Sequence, residues 1–240
     1  MKADSGQAID FSTMRSTIFS PKVYLGTCLL FLVFLGSCRD GKRYHSEAEV
    51  TATTRADENK VAVVGLKAIL AHQEELNAEF SDPETSPLSQ EELRKFDGLP
   101  FFSPDTTYQV WARLERSPQA LPFDMPTTTE RMARERRYGV LKFNLNGESF
   151  QLEVYQSPDL MLQEGMEDYL FLPFTDRTNG ETTYEGGRYM DLRIPSGDSL
   201  LLDFNRAYNP YCAYNVKYSC PIVPQVNHLD TEVQAGVRYY

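Results

Sequence analysis

Apolar positions along the chain change their spacing near residue 105, and the change divides helix from strand. Before it, Leu66, Ile69, Leu70, Leu76 and Phe80 recur as one helical stripe, and Asp82-Pro83 stops that helix. Ser89 and Glu92 then form a capping box, with Leu88 and Leu93 at the staple positions on either side, which predicts a short helix from Gln90 to Phe96. Gly98 suits its left-handed exit and Pro100 prevents continuation. Beyond residue 105, Tyr108, Val110, Ala112 and Leu114 alternate as a strand does. The clearest unit is a hairpin around Asn146-Gly147, a dipeptide that supplies the positive φ angles of a type I′ turn. A two-residue loop there sets Phe143 opposite Phe150 and Leu141 opposite Leu152, with Lys142, Gln151 and Glu153 on the other face.

Further strands are expected at Tyr169–Phe174, Thr182–Tyr184, Tyr189–Ile194 and Leu200–Phe204, separated by Asn179-Gly180, Gly186-Gly187 and Ser196-Gly197. The fold class this predicts is mainly β (α+β): an antiparallel sheet, barrel or sandwich, with two helices at its N-terminal end. No internal repeat is visible.

One apolar run belongs to neither pattern. Val23 to Leu35 follows Arg15 and Lys22 and ends in Gly36-Ser37-Cys38, an order that resembles a bacterial lipoprotein signal: basic start, short apolar centre, small-residue cleavage site. The run is shorter than the roughly 20 apolar residues a spanning helix needs. Cys38 is then the lipidated first residue, and the expected location is a bacterial cell envelope, anchored to a membrane and facing the periplasm or exterior. Met14 could equally be the start, because residues 1–13 carry Asp4 and Asp10 and nothing a signal uses. Residues 39–60 are polar and lack a sustained apolar period, as a tether would, which leaves 61–240 as one β-rich domain.

Charge narrows the partners. The chain carries −10, and losing a segment with three basic and two acidic side chains takes the mature form to −11. Nucleic acid is therefore excluded as a partner, since phosphate backbones are repelled unless a basic patch is concentrated. Arg131, Arg134, Arg136 and Arg137 are interrupted by Glu130 and Glu135 and read as a solvated face. With Cys28 in the signal and Cys38 lipidated, Cys212 and Cys220 remain. In an oxidising compartment they are expected to pair, stabilising the fold by about 2–3 kcal/mol in the chain-entropy model. Zinc held by Cys212, Cys220, His228 and Asp230 is disfavoured, because structural zinc sites place at least one cysteine pair two to four residues apart. No metal and no cofactor are expected.

From Tyr169 to Asn227 the chain concentrates polar and aromatic residues: Phe171-Leu-Pro-Phe-Thr-Asp176, Thr182-Thr-Tyr-Glu-Gly-Gly-Arg-Tyr189, and Asp203-Phe-Asn-Arg-Ala-Tyr-Asn-Pro-Tyr-Cys-Ala-Tyr214. With Cys220-Pro221, Pro224 and Asn227, and upstream Phe96-Asp-Gly-Leu99 and Tyr138-Gly-Val-Leu-Lys-Phe143, these resemble the bacterial domain-of-unknown-function family 1684 over about residues 66–236. The resemblance implies an exported or lipid-anchored protein and brings no activity with it. His228, where many relatives carry Arg, and the tail Val237-Arg-Tyr-Tyr240 depart from the pattern.

Asp203, Asn205, Arg206 and Tyr208 follow three leucines at a strand end, so they could converge with Asp176 and Arg188 on a partly exposed pocket for a small molecule or glycan. The competing reading makes them scaffold, with Asp203 paired to Arg206 or Arg188. Signatures of nucleophilic and zinc hydrolases are missing. Paired carboxylates among Asp176, Asp191 and Asp203 keep a glycan hydrolase open as the alternative to a ligand-binding or envelope-assembly module, so whether the chain is an enzyme stays open at this level.

Overall fold

In the computed structural model, residues Gly65–Tyr239 are described, and the signal, Cys38 and the tether lie outside them. Helix α1 spans 65–81. Ile69, Leu76 and Phe80 bury its stripe, Leu76 and Phe80 against Leu99, Val237, Tyr211 and Tyr214, whereas Leu66 and Leu70 stay on the solvent side. The Ser89 hydroxyl and Glu92 carboxylate close the expected capping box on α2 (Gln90–Leu93), which ends earlier than Phe96. Asn77 of α1 then accepts the Leu99 N–H at 2.8 Å. Its neighbour Gly98 has φ 132°, a conformation side-chain-bearing residues avoid.

The rest is a curled, half-barrel sheet. Its strands are β1 (Gln109–Arg116), β2 (Phe123–Pro126), β3 (Met132–Leu145), β4 (Glu148–Gln156), β5 (Tyr169–Asp176), β6 (Arg188–Arg193), β7 (Ser199–Asp203) and β8 (His228–Leu229). The main path runs β6-β5-β4-β3-β1-β7, with β2 added to β3 and β8 to β5. All pairings are antiparallel except β5 with β8. The β3–β4 hairpin has the expected register, Phe143 against Phe150 and Leu141 against Leu152, and Asn146 and Gly147 turn it with φ 53° and 84°. The expected strand Thr182–Tyr184 does not form. It is a turn held by a single bridge from Asn179 to Thr183, since Thr178, Thr183 and Asn179 bond one another instead of a neighbouring strand.

A bulge between Arg137 and Gly139 divides β3, so one half pairs with β2 and the other with β1. Gly139 permits this bend: a Cβ there would stand 2.6 Å from the Glu115 carbonyl oxygen. The sheet consequently has two different faces. On one, Leu141, Leu152, Leu170, Leu172, Phe174, Met190 and Leu202 form the main core with Phe204 and Leu229. Each fully buried leucine contributes about 2 kcal/mol. On the other, Met125, Ala133, Tyr155, Phe171 and Tyr189 meet Tyr169, Tyr208, Tyr211 and Tyr218. Among the described residues no helix is long and apolar enough to cross a membrane.

Candidate functional site

The period-two alternation of β5 and β6 decides which carboxylates become accessible. Asp176 and Arg188 lie on the main-core face and are fully buried. Arg188 Nη2 donates to Asp176 Oδ2 at 2.8 Å and also to the Val233 carbonyl, while Nη1 reaches the Ala235 carbonyl. Asp176 Oδ1 accepts from Thr178 N, Thr178 Oγ1 and Val233 N. The guanidinium also lies over the Phe174 ring, 5.3 Å from its centroid. Both oxygens of Asp176 are bonded within the protein and the side chain has no exposed surface to offer a ligand. Burial pushes the Arg188 pKa down, against the raising effect of the Asp176 charge. The pair clamps the sheet to the C-terminal segment through both terminal nitrogens of Arg188, while its Nε has no hydrogen-bond partner among the described residues.

Asp203 and Asn205 form a second closed network, at the end of β7. Asp203 Oδ1 accepts from the Asn205 backbone and side-chain nitrogens, and Oδ2 accepts from Gln109 Nε2 at 2.9 Å. Asn205 in turn holds the Asp105 backbone through both amide atoms. The ion pair expected between Asp203 and Arg206 or Arg188 is thus replaced by an amide network, because Asp203 caps the turn by accepting from Asn205 and Arg188 is committed to Asp176. Asp176 and Arg188 do not converge with Asp203 and Asn205 on one pocket; the β5–β6 alternation and the β7 end put them in separate buried networks.

Tyr208 and Arg206 lead elsewhere. Tyr208 OH donates to Asp191 Oδ1 at 2.8 Å, and Tyr169 OH donates to the same oxygen at 2.7 Å. Oδ2 has no hydrogen-bond partner among the described residues. Asp191 lies on β6 between Tyr189 and Arg193, on the face opposite Arg188. Its side chain reaches solvent, yet burial raises its carboxyl pKa above the ordinary range, against the lowering effect of Tyr169, Tyr208, Arg193 and Arg206. Exposure and desolvation coincide for a carboxylate that reaches the surface among closely packed tyrosines. Burial and the neighbouring carboxylate likewise push the Tyr169 and Tyr208 phenols well above their usual value, so both remain donors at neutral pH.

The tyrosine cluster continues on both sides. Tyr211 OH donates to Glu79 of α1, whose pKa is raised by burial and by the charge of Asp191. Phe171 packs edge-on against Tyr189 at 4.7 Å, and Tyr189 against Tyr208 at 6.1 Å. On β3, Glu135 is 6% exposed and its Oε2 is unpartnered among the described residues. Burial, reinforced by Asp159 and opposed by Arg131, pushes it up to about 7. Arg206 is exposed, with its charge near both Asp191 and His72. His72 is half-buried rather than exposed, and burial together with Arg206 lowers its pKa.

Two open depressions lie away from this constellation, one lined by Trp111, Arg113, Lys142 and Phe150, the other by Phe102, Asp105, Tyr108 and Gln234. Both are shallow and neither gathers convergent groups of shifted acidity, which is what marks a binding site physically. Cys212 and Cys220 are free thiols in the structure rather than the expected disulfide, lying side by side with the Cys212 N–H donating to Cys220 Sγ at 3.2 Å. His228 bonds Thr175 and Asp230 bonds Arg177. No group of three or more potential metal ligands occurs among the described residues.

Tyr169, Glu79 and Glu135 were not singled out by the sequence patterns. One signal was available for Tyr169: with Tyr189, Asp191 and Arg193 it falls at odd positions of paired strands and shares a face. The fold and this face define a curled antiparallel sheet that buries one side in aliphatic packing and lines the other with tyrosines around a carboxylate. The chain belongs to the family described as Protein of unknown function (DUF1684), whose model matches residues 94–238. It is similar to the solution NMR structure of an uncharacterized protein from Haloarcula marismortui, 36% identical over 78% of this chain and 96% of that one, with a TM-score of 0.56. No curated protein matches.

Proposed function

We propose that the chain is a lipid-anchored cell-envelope protein that binds a polyhydroxylated ligand, an envelope glycan, on the tyrosine-lined face at Asp191. The observation that carries this reading is the asymmetry of that carboxylate on an exposed residue: one oxygen takes two tyrosine hydroxyls and the other has no hydrogen-bond partner among the described residues. A fixed acceptor beside rigid aromatic side chains suits a sugar, which offers hydroxyl donors at its edge and apolar C–H surface on its face. The net charge of −10, with Asp191, Glu79 and Glu135 on the same side, disfavours an anion. An array of envelope glycan fragments tests the reading. Binding by the wild type that disappears in Asp191→Asn supports it, and silence across the array removes it.

The anchor rests on Leu35-Gly36-Ser37-Cys38, and it faces the periplasm or exterior in this reading. Metabolic labelling with a fatty acid should mark the wild type and not Cys38→Ala. In the oxidising compartment this implies, the adjacent thiols of Cys212 and Cys220 would join. A glycan hydrolase is the second reading, and it now depends on Asp191 and Glu79, whose acidities are both weakened and whose charges interact. Asp176 and Asp203 have no part in it, since each is buried with its oxygens already occupied. Release of reducing ends from the bound glycan would favour it over simple binding.

A further inference from the structure

The two thiols are unlike. Cys212 sits half-buried in the single turn Tyr211–Ala213, whereas Cys220 is 5% exposed and packed in the tyrosine cluster. Besides the backbone contact at 3.2 Å, the thiols hydrogen-bond each other, and the hydroxyls of Thr128 and Tyr184 also reach the Cys212 sulfur. Thr128 fixes the partner as well: its N–H donates to the Cys220 carbonyl at 2.9 Å and its Oγ1 accepts the Cys220 N–H at 3.1 Å. Donors gathered round one sulfur favour its thiolate. Cys212 is accordingly lowered to about 7, while Cys220, bonded to that sulfur and desolvated, is raised. A permanent structural bridge needs no such division, but disulfide exchange does: one accessible sulfur that attacks, one sheltered sulfur that resolves.

We propose that Cys212 and Cys220 are an exchangeable redox pair, in which Cys212 meets an incoming disulfide and Cys220 resolves the mixed disulfide. The Cys212 thiolate attacks one sulfur of the incoming disulfide; that S–S bond breaks, a bond to Cys212 forms, and the other half leaves as thiolate. Cys220 then loses its proton to solvent and attacks Cys212 Sγ, expelling the second thiolate. The protein gives up two electrons and two protons, and the incoming disulfide becomes two thiols. A small disulfide or an exposed disulfide of another exported protein is the substrate class.

The test uses the full-length chain in detergent, with Cys28→Ser and Cys38→Ser so that only this pair can react. After reduction and desalting it is treated with dithiobis(nitrobenzoate). The pair should release two coloured thiolates per chain and finish with an internal disulfide and no adduct. Adding Cys220→Ser should leave one stable adduct on Cys212, and adding Cys212→Ser should slow the reaction by at least about tenfold. Equal rates for the two variants, or two adducts on the intact pair, would overturn the proposal. Should either variant fail to fold, timed alkylation of the intact pair with peptide mapping decides it. Cys212 should be labelled with a midpoint near pH 7 and well ahead of Cys220, and coincident profiles contradict the assignment.

Discussion

Asp176 and Asp191 occupy adjacent strands of one sheet, and their opposite faces give them opposite roles. Asp176 accepts four hydrogen bonds in the buried interior, one of them from Arg188. Asp191, an exposed residue, accepts two at one oxygen and leaves the other without a partner among the described residues. Ionised carboxylates hold several acceptor sites each, so unused capacity on an exposed residue distinguishes a group available to a ligand from one consumed by folding. Charge, strand position and aromatic neighbours do not make that distinction, because both residues have them.

The comparison breaks first at the clamp. Arg188→Met leaves Asp176 charged and unpaired in the core, and urea unfolding should show a loss of about 3–5 kcal/mol. Replacing both, Asp176→Leu with Arg188→Met, should cost less than the single change, since no charge is then stranded; a double variant weaker than the single would show that the hydrogen bonds to Val233 and Ala235 matter more than the ion pair.

Glu135 sharpens the contrast through pH. Its folded pKa of about 7 lies above the ordinary 4.5, so between those values the folded state retains a proton that the unfolded chain has lost. Stability therefore falls as pH rises through that window and levels off above it. Glu135→Gln, which mimics the protonated form, should match the wild type below the window and exceed it by about 2–3 kcal/mol above it. Parallel stability curves for the two proteins would place the Glu135 titration elsewhere. Asp203→Asn comes next, with an expected loss of about 1–2 kcal/mol in the same unfolding assay, because an amide cannot accept from all three of its donors. Asp191→Asn should have the smallest effect on stability, within about 0.5 kcal/mol, as an accessible group whose packing is unchanged.

Much of this fold was legible in the sequence, and the limits have physical causes. The hairpin at Asn146-Gly147 and the capping box at Ser89 are local, and local chemistry fixed their register and their cap. Thr182–Tyr184 alternates like a strand but follows Thr178 and Asn179, whose side chains bond the Thr183 hydroxyl and, from Asn179, the Tyr184 carbonyl, and close a turn instead. The site was only partly readable for a different reason. Asp176, Arg188, Asp203, Asn205, Arg206 and Tyr208 cluster in sequence, yet the parity of β5 and β6 sends Asp176 and Arg188 to the interior and turns Asp191 towards Tyr208. Glu79 comes to that face from α1, more than a hundred residues away, through a bond to Tyr211 that no local pattern records.

The most direct measurement is an NMR titration of the full chain with a soluble envelope oligosaccharide, run in parallel on the wild type, Asp191→Asn and Asp203→Asn. In the wild type the shifted signals should gather at Tyr169, Asp191 and Tyr208. Asp203→Asn should bind as the wild type does despite its lower stability, and Asp191→Asn should lose binding while melting at an unchanged temperature. Shifts centred on the Trp111 and Phe150 depression, or undiminished binding by Asp191→Asn, would contradict the assignment of function to the tyrosine-lined face.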